Sequence, residues 1–267
     1  MIRLLKIEFH KILFSRTFWI ILGLYIALLA PIAFGFDNIL KAFSINNDKQ
    51  PSLSSFMLQG YSVFNFPGVW NNMAYIASWF KLFLVIIIVL LVCNEYSNKT
   101  LRQNIIDGMS KWEIIWAKEL VILIISIIAV VILILLTLIL GHSQNNVSLF
   151  SGSSIVLAYF ISLLLYLNLA YFLSSLLKKS GFVVGVLLLY SIVIENLISY
   201  LLPNVVLRFL PMNLISNMVP NPLGNLIGQN AESDFSVLNV GVCGLYIMLF
   251  IMINYWLLKK GHAGKQV

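Results

Sequence analysis

Charged residues are scarce in this sequence. They make up 10% of its 267 residues, whereas about 25% is usual for a soluble domain. Hydrophobic residues make up 60%, and the mean hydropathy is +0.95. A soluble protein of this length needs a charged surface to stay in water, so the composition excludes an ordinary soluble globular domain.

Sequence motifs for catalysis and nucleotide binding are also missing. There is no G-x-x-x-x-G-K-[ST] phosphate loop and no H-E-x-x-H motif, which excludes P-loop ATP binding and the usual intramembrane zinc-protease arrangement. The two cysteines, Cys93 and Cys243, lie in apolar runs, where buried thiols acting as small hydrophobes are expected. We therefore predict that this chain is not an enzyme and binds no cofactor or metal itself.

What the sequence has in quantity is apolar runs of about 20 residues, the length that crosses the ~30 Å hydrocarbon layer as a helix. A lipid-exposed backbone must satisfy its hydrogen bonds internally, which favours helices. The predicted fold is an all-α membrane protein with one transmembrane domain over residues 17–267. The six predicted spans are Thr17–Phe36, Tyr75–Cys93, Leu120–Leu140, Ile155–Leu177, Phe182–Leu202 and Val237–Leu258.

The distribution of basic residues predicts the orientation of these spans. With both termini inside, the inner segments carry thirteen Lys and Arg residues and the outer segments carry three, Lys41, Lys49 and Arg208. Basic residues concentrate on the cytoplasmic side, so we expect a multi-pass protein of the plasma (inner) membrane with cytoplasmic termini. The clustering at span ends also argues against nucleic-acid binding, despite the net charge of +7.

Two segments outside the spans have a pattern of their own. In residues 1–16, apolar residues fall on one face of a helix and charged residues on the other, which predicts an amphipathic helix in the inner interface. A disordered basic start is the alternative. Residues 203–236, between spans five and six, are apolar stretches broken by four prolines into pieces too short to span, so they lie at the outer interface or dip into it.

The predicted cytoplasmic loop 94–119 carries signals for two helices. It contains two capping boxes, Thr100 with Gln103 and Ser110 with Glu113. Gly108 lies between them, where a left-handed residue would end the first helix. We expect a short helix at 101–107, a turn, and a second helix that continues into span three. The loop is either a docking surface or a well-capped passive connector.

The start Leu5-Lys-Ile-Glu-Phe-His-Lys11, the run Asn94–Gln103 and the stretch Asp107–Glu113 resemble the N-terminus and first cytoplasmic loop of type-two ABC exporter permeases. The resemblance implies a coupling helix that docks on the ATPase, and short re-entrant helices at residues 203–236. The implied partners are two ABC ATPase subunits, which would hold ATP and Mg, a second permease copy or paralogue, and membrane lipid. The implied coupling residues are Glu95, Thr100, Leu101, Arg102, Gln103, Asn104, Asp107, Gly108 and Lys111.

The resemblance therefore implies a bacterial permease subunit that exports its cargo by alternating access. The aliphatic, charge-poor spans suit an amphipathic cargo, such as a peptide, a drug or a lipid-like molecule. A stand-alone secondary transporter or channel is the main alternative, and a membrane immunity or scaffold protein is another.

Two ionisable residues fall inside predicted spans, Lys81 and Glu195, both roughly 9–11 Å below the outer boundary. Charges at this depth often mark function, and we predict that the two pair. The alternative is that Lys81 extends to the outer headgroups and Glu195 is protonated or bonded to Asn196 or water.

Overall fold

The computed structural model describes residues 11, 14–45, 65–141, 149–199, 209–221 and 236–263. Within these ranges the chain is helical and has no β-strand, which confirms the all-α class. The helices are α1 (Arg16–Ile45), α2 (Gly68–Trp79), α3 (Lys81–Ser97), α4 (Thr100–Ile106), α5 (Lys111–Leu140), α6 (Ser154–Leu177), α7 (Ser180–Leu189), α8 (Glu195–Ser199), α9 (Pro211–Asn217) and α10 (Val237–Ala263). A π-helical segment, Tyr190–Ile194, joins α7 to α8.

Three of the described helices are long and apolar enough to cross a membrane by themselves: α5, α6 and the Val237–Lys259 part of α10. The pair α2 and α3 raises the number to four if it forms one bent span. Two other predicted spans hold shorter apolar helical stretches, namely the Arg16–Pro31 part of α1 and residues Ser180–Ile194. The fold is therefore that of a helical protein with several membrane-length apolar helices, and the count of six spans stays a prediction.

Helix α6 lies at the centre of the bundle, where it contacts α2, α3, α5, α7, α9 and α10. In the 18-residue apolar stretch of α6, 67% of the residues are buried, compared with 33% in that of α5 and 22% in that of α10. Small residues on α6, including Ala158, Ser162 and Ala170, are fully buried. Small side chains let helix backbones approach closely in lipid, where burial supplies little driving force. This composition suits α6 to be surrounded by other helices.

The second predicted span is not one straight helix, because α2 and α3 meet at a bend of 43°. At the break, the Phe80 N–H bonds to the Ala77 carbonyl at 3.1 Å, a tighter pattern than the α-helical one. The Ser78 hydroxyl donates to the Ala74 carbonyl at 2.8 Å, a local bond of the type that often bends helices. The segment predicted as the span Tyr75–Cys93 is therefore bent at Phe80.

Several predicted segments fall partly outside the described residues. Of the amphipathic helix expected at 1–16, only residue 11 and residues 14–16 are described. Of the outer segment 203–236, the structure describes 209–221 and 236. Helix α9 lies there, begins with Pro211 at a position that suits proline, and packs on α6 and α10. Its length of seven residues agrees with the expected short pieces.

Candidate functional site: the end of the bundle around α4

Segments predicted to lie on one side of the membrane meet at one end of the bundle. The Trp112 ring near the start of α5 stacks on Tyr255 near the end of α10, with ring centroids 4.3 Å apart. The Lys178 ammonium after α6 lies 5.4 Å from the centroid of the Tyr96 ring near the end of α3. These two contacts join four helices at the end that carries α4, and they define the candidate site.

Helix α4 is bounded by two left-handed residues. Lys99 precedes it with φ 56°, and Gly108 follows with φ 91°. The Gly108 N–H bonds to the Ile105 carbonyl and the Met109 N–H to the Asn104 carbonyl, both at 3.1 Å. This pair of bonds is a Schellman motif, which satisfies carbonyls that a helix end otherwise leaves unpaired. The predicted stop at Gly108 is confirmed.

The second predicted capping box is also confirmed. The Ser110 hydroxyl accepts from the Glu113 N–H at 3.2 Å, and the Ser110 N–H donates to the Glu113 carboxylate at 2.8 Å. Each residue thus satisfies a backbone donor of the other. Helix α5 then runs without interruption from Lys111 to Leu140, as predicted for the entry into span three.

The first predicted capping box, Thr100 with Gln103, is wrong. Lys99 occupies the N-cap position and makes no side-chain cap bond. Thr100 is already the first helical residue, and its hydroxyl donates to the Glu95 carbonyl at 3.4 Å. Only two residues separate α3 from α4, so the chain turns sharply and brings Thr100 back against the end of α3.

A small apolar cluster, separate from the main core, supports α4. Its buried members are Ile114 and Ile115 on α5 and Leu258 on α10. Partly buried side chains from α4, the turn and α10 pack against them: Leu101, Ile105, Met109, Ile251 and Tyr255. Helix α4 has seven residues and would be marginal alone. Its position is therefore set by packing on two long helices.

A buried ion cluster lies next to this apolar cluster. Glu95, near the end of α3, accepts a hydrogen bond from the Lys118 ammonium at 2.6 Å and a second from Lys11 at 3.2 Å. The side chains of Lys118 and Glu95 are 4% and 8% exposed, whereas that of Lys11 is 37% exposed. The cluster ties α3, α5 and the N-terminal segment together through one carboxylate.

The predicted coupling residues divide into those that hold α4 and those that it presents. Glu95, Thr100 and Leu101 contact neighbouring elements, while Asn104 and Lys111 are half-buried. The exposed residues of this stretch are Arg102, Gln103, Ile106, Asp107 and Gly108. Ile106 is 74% exposed although it is apolar. The exposed side of α4 thus combines charges of both signs with an apolar side chain.

Lys118 is not among the coupling residues predicted from the sequence, although the structure places it in the ion cluster. A signal was available, because Lys118 follows Ile114 by four residues and Ile115 by three, which places all three on one face of α5. Ile114, Ile115 and Lys118 are all buried in the structure. A lysine on the apolar face of a helix indicates an acidic partner on a neighbouring element.

The predicted pair of Lys81 and Glu195 does not form. The Lys81 ammonium donates to the Ser162 hydroxyl at 2.7 Å and lies 5.0 Å from the centroid of the Tyr159 ring. The Glu195 carboxylate accepts from the Tyr190 hydroxyl at 2.9 Å and from the Met212 N–H at 2.8 Å. The two side chains have equal predicted depth, but each bonds to a nearer partner. Lys81 bonds to α6, and Glu195 bonds to the π-helical segment and to α9.

The sequence matches the model of a family of proteins of unknown function, DUF2705, over residues 28–261. The chain belongs to this family. No curated protein matches the chain. The family match covers every helix from α2 to α9, most of α1 and most of α10, so the ion cluster's Glu95 and Lys118 lie inside the shared region and Lys11 lies outside it.

Proposed function

We propose that this chain is the permease subunit of an ABC transporter and that α4 is the helix through which a separate ATPase acts on it. The observation that carries the proposal is the support of α4. A seven-residue helix is fixed on its inner side by an apolar cluster and flanked by a buried ion cluster, while its outer side exposes Arg102, Ile106 and Asp107. A passive connector needs neither support nor an exposed apolar residue.

The proposed orientation places α4 and both termini in the cytoplasm. It is supported by the grouping of segments at the two ends of the bundle. The end of α10 packs near α4, as expected if both are cytoplasmic. At the opposite end, the Trp70 indole N–H donates to the Leu149 carbonyl at 2.9 Å, which joins the start of α2 to the turn before α6. Those segments are both predicted to be outside.

In the proposed mechanism, two ATPase subunits bind ATP and Mg, and their movement displaces α4. Four residues separate α4 from α5, which continues for 30 residues, about 45 Å at 1.5 Å per residue. A displacement of α4 would therefore be transmitted along α5 into the membrane, where a dimer of permeases would alternate between inward and outward access. The proposed cargo is an amphipathic peptide, drug or lipid-like molecule.

Co-purification tests this proposal. The tagged full chain is isolated in mild detergent from membranes of the cell that makes it, and co-purifying proteins are identified by mass spectrometry. We expect a P-loop ATPase subunit with the wild-type chain and its loss with the double variant Arg102→Glu, Ile106→Asp. The matched control is Lys179→Glu, an exposed charge reversal on the turn between α6 and α7 at the same end. Absence of an ATPase from the wild type, or its retention by the double variant, would overturn the proposal.

A stand-alone secondary transporter is the second candidate, and Lys81 is the observation that favours it. Lys81 is a buried cation in the first turn of α3, beside the bend that separates α3 from α2. Interrupted helices that carry ionisable groups are typical of ion-coupled transporters. This candidate predicts that the purified chain alone, in proteoliposomes, moves solute along an ion gradient without ATP. It also predicts that Lys81→Met abolishes that transport.

A further inference from the structure

Helix α9 is attached to the rest of the protein by polar contacts at its start. The Glu195 carboxylate accepts from the Met212 N–H at 2.8 Å, and the Asn213 N–H also bonds to it. The Tyr246 hydroxyl on α10 donates to the carbonyl of Phe209, just before α9, at 3.1 Å. A helix leaves its first N–H groups without intrahelical partners, so Glu195 acts as a cap that another helix supplies.

The apolar contact of α9 is small. Pro211, Leu214 and Ile215 are its buried residues, and the helix packs on α6 and α10. Seven residues form only a marginal helix alone. Tyr246 precedes Leu258, which packs near α4, by twelve residues of α10, about 18 Å at 1.5 Å per residue. Helix α9 therefore lies toward the end of the bundle opposite α4, and its polar attachment at one end suits a lid that turns about its start.

The π-helical segment Tyr190–Ile194 directs Glu195 toward α9. A π-helix bonds each N–H to the carbonyl five residues earlier, and the Glu195 N–H bonds to the Tyr190 carbonyl. The Tyr190 hydroxyl also donates to Oε1 of Glu195 at 2.9 Å. In a regular α-helix each residue turns by about 100°, so residues five apart would lie about 140° apart around the axis. The contact between Tyr190 and Glu195 therefore depends on the π-helical form.

We propose that the π-helical segment is a switch that docks and releases α9 through Glu195. In the π-helical form, Oε1 of Glu195 holds the start of α9. When the segment becomes regular α-helix while α7 stays in place, Glu195 turns by about 100° and α9 is released as a lid. Short π-helical turns inside α-helices are frequent at functional sites. This inference does not depend on the permease proposal, because its test measures movement and not transport.

Hydrogen exchange of the full chain in lipid nanodiscs tests the inference, because exchange reports local opening. Glu195→Leu removes the acceptor and keeps a side chain of similar size. We expect the amides of α9 to exchange at least about tenfold faster in this variant, while those of α6 keep their wild-type rates. The matched control is Glu195→Gln, which retains an acceptor oxygen. It should hold α9 in place, with exchange within about twofold of the wild type.

Deletion of Val193 tests the π-helical segment itself. With one residue fewer, Tyr190 and Glu195 are four apart, the spacing at which residues of a regular α-helix are neighbours. Glu195 then faces α9 without needing the π-helical form, and we expect the amides of α9 to exchange at least about tenfold more slowly than in the wild type. Val193 is 45% exposed. The control is Val193→Ala, which keeps the number of residues and should exchange like the wild type.

Four results would each overturn the inference. The first two are wild-type exchange of α9 in Glu195→Leu, and equal acceleration of α6 in that variant, which would mean a general loss of stability. The third is exchange in Glu195→Gln as fast as in Glu195→Leu. The fourth is unchanged exchange of α9 in a folded Val193 deletion variant. If the deletion variant does not fold, the two Glu195 variants decide.

Discussion

Lys118 and Lys81 are buried to nearly the same extent, 3% and 2% exposed, but they have different partners. Lys118 bonds to the Glu95 carboxylate at 2.6 Å, whereas Lys81 bonds to a neutral hydroxyl on Ser162 at 2.7 Å. The Lys118 ammonium is neutralised by a carboxylate. The Lys81 ammonium contacts no carboxylate among the described residues. The two lysines therefore differ in what their burial costs, although hydrogen-bond lengths alone make them look alike.

This difference separates a structural lysine from a lysine that the fold could do without. A buried charge with a well-placed partner holds two elements together, and removing one member leaves the other unpaired. A buried charge without a counter-ion destabilises the fold unless another role retains it. The comparison leads to predictions of opposite sign for chemically similar substitutions.

The largest expected effect follows from Glu95→Gln. This change leaves Lys118 buried beside a neutral amide, and we expect a loss of about 3–5 kcal/mol in the free energy of unfolding. Thermal unfolding of the purified protein in detergent measures it. Asp107→Asn, which neutralises an exposed carboxylate next to α4, is the control and should unfold within a degree or two of the wild type. Equal unfolding temperatures for the two variants would mean that the ion cluster contributes no stability.

The Glu95→Leu, Lys118→Met double variant sharpens the same point. Replacing both members of a buried pair by apolar residues is often neutral. We expect it to recover most of the stability that Glu95→Gln loses. If the double variant is as unstable as Glu95→Gln, the effect comes from packing and not from an unpaired charge.

For Lys81→Met we expect a gain of roughly 1–2 kcal/mol. Desolvating one ion costs several kcal/mol, and the hydrogen bond from the ammonium to Ser162 returns only about 1.5–3 kcal/mol of it. The comparison variant is Lys118→Met, which should lower stability because it removes the closer partner of Glu95. A fall in unfolding temperature with Lys81→Met would contradict the distinction drawn between the two lysines.

A smaller loss, about 1–2 kcal/mol, is expected for Gly108→Ala. Gly108 has φ 91°, a conformation that an alanine Cβ disfavours. Beyond the glycine and its two chain neighbours, no atom lies within 4 Å of the position that a Cβ would occupy, so the effect would come from the backbone alone. Gly185→Ala has equal space within a helix and should be neutral or slightly stabilising. Hydrogen exchange of α4 would show whether the loss is local.

The smallest effect is expected for Ser110→Ala, which removes one bond of the capping box. Loss of an N-cap hydroxyl typically costs about 1 kcal/mol. Ser97→Ala, at the other end of the turn region and exposed, should change stability by a few tenths of that. Circular dichroism melts of both variants compare them, and equal melts would mean that the cap does not hold the start of α5.

The helical class and the second capping box were predictable from the sequence because both depend on neighbouring residues. Hydropathy located both ends of α6, the start of α10 and the end of α5 to within one residue, and the spacing of Ser110 and Glu113 identified the start of α5. The partners of Lys81, Glu95 and Glu195 were not predictable, because they depend on how helices far apart in sequence pack. The break at Phe80 depends on local hydrogen bonds that apolar composition does not report.

Site-specific photo-crosslinking at residue 106 tests the central proposal most directly. A benzophenone amino acid in place of Ile106 is activated in intact cells, with residue 192 as the control, since Ile192 is also exposed but lies in the π-helical segment. The proposal predicts a crosslink from position 106, and none from position 192, to a protein that mass spectrometry identifies as a P-loop ATPase. The proposal would be contradicted if the crosslinked products of position 106 included no ATPase, or if both positions crosslinked to it equally.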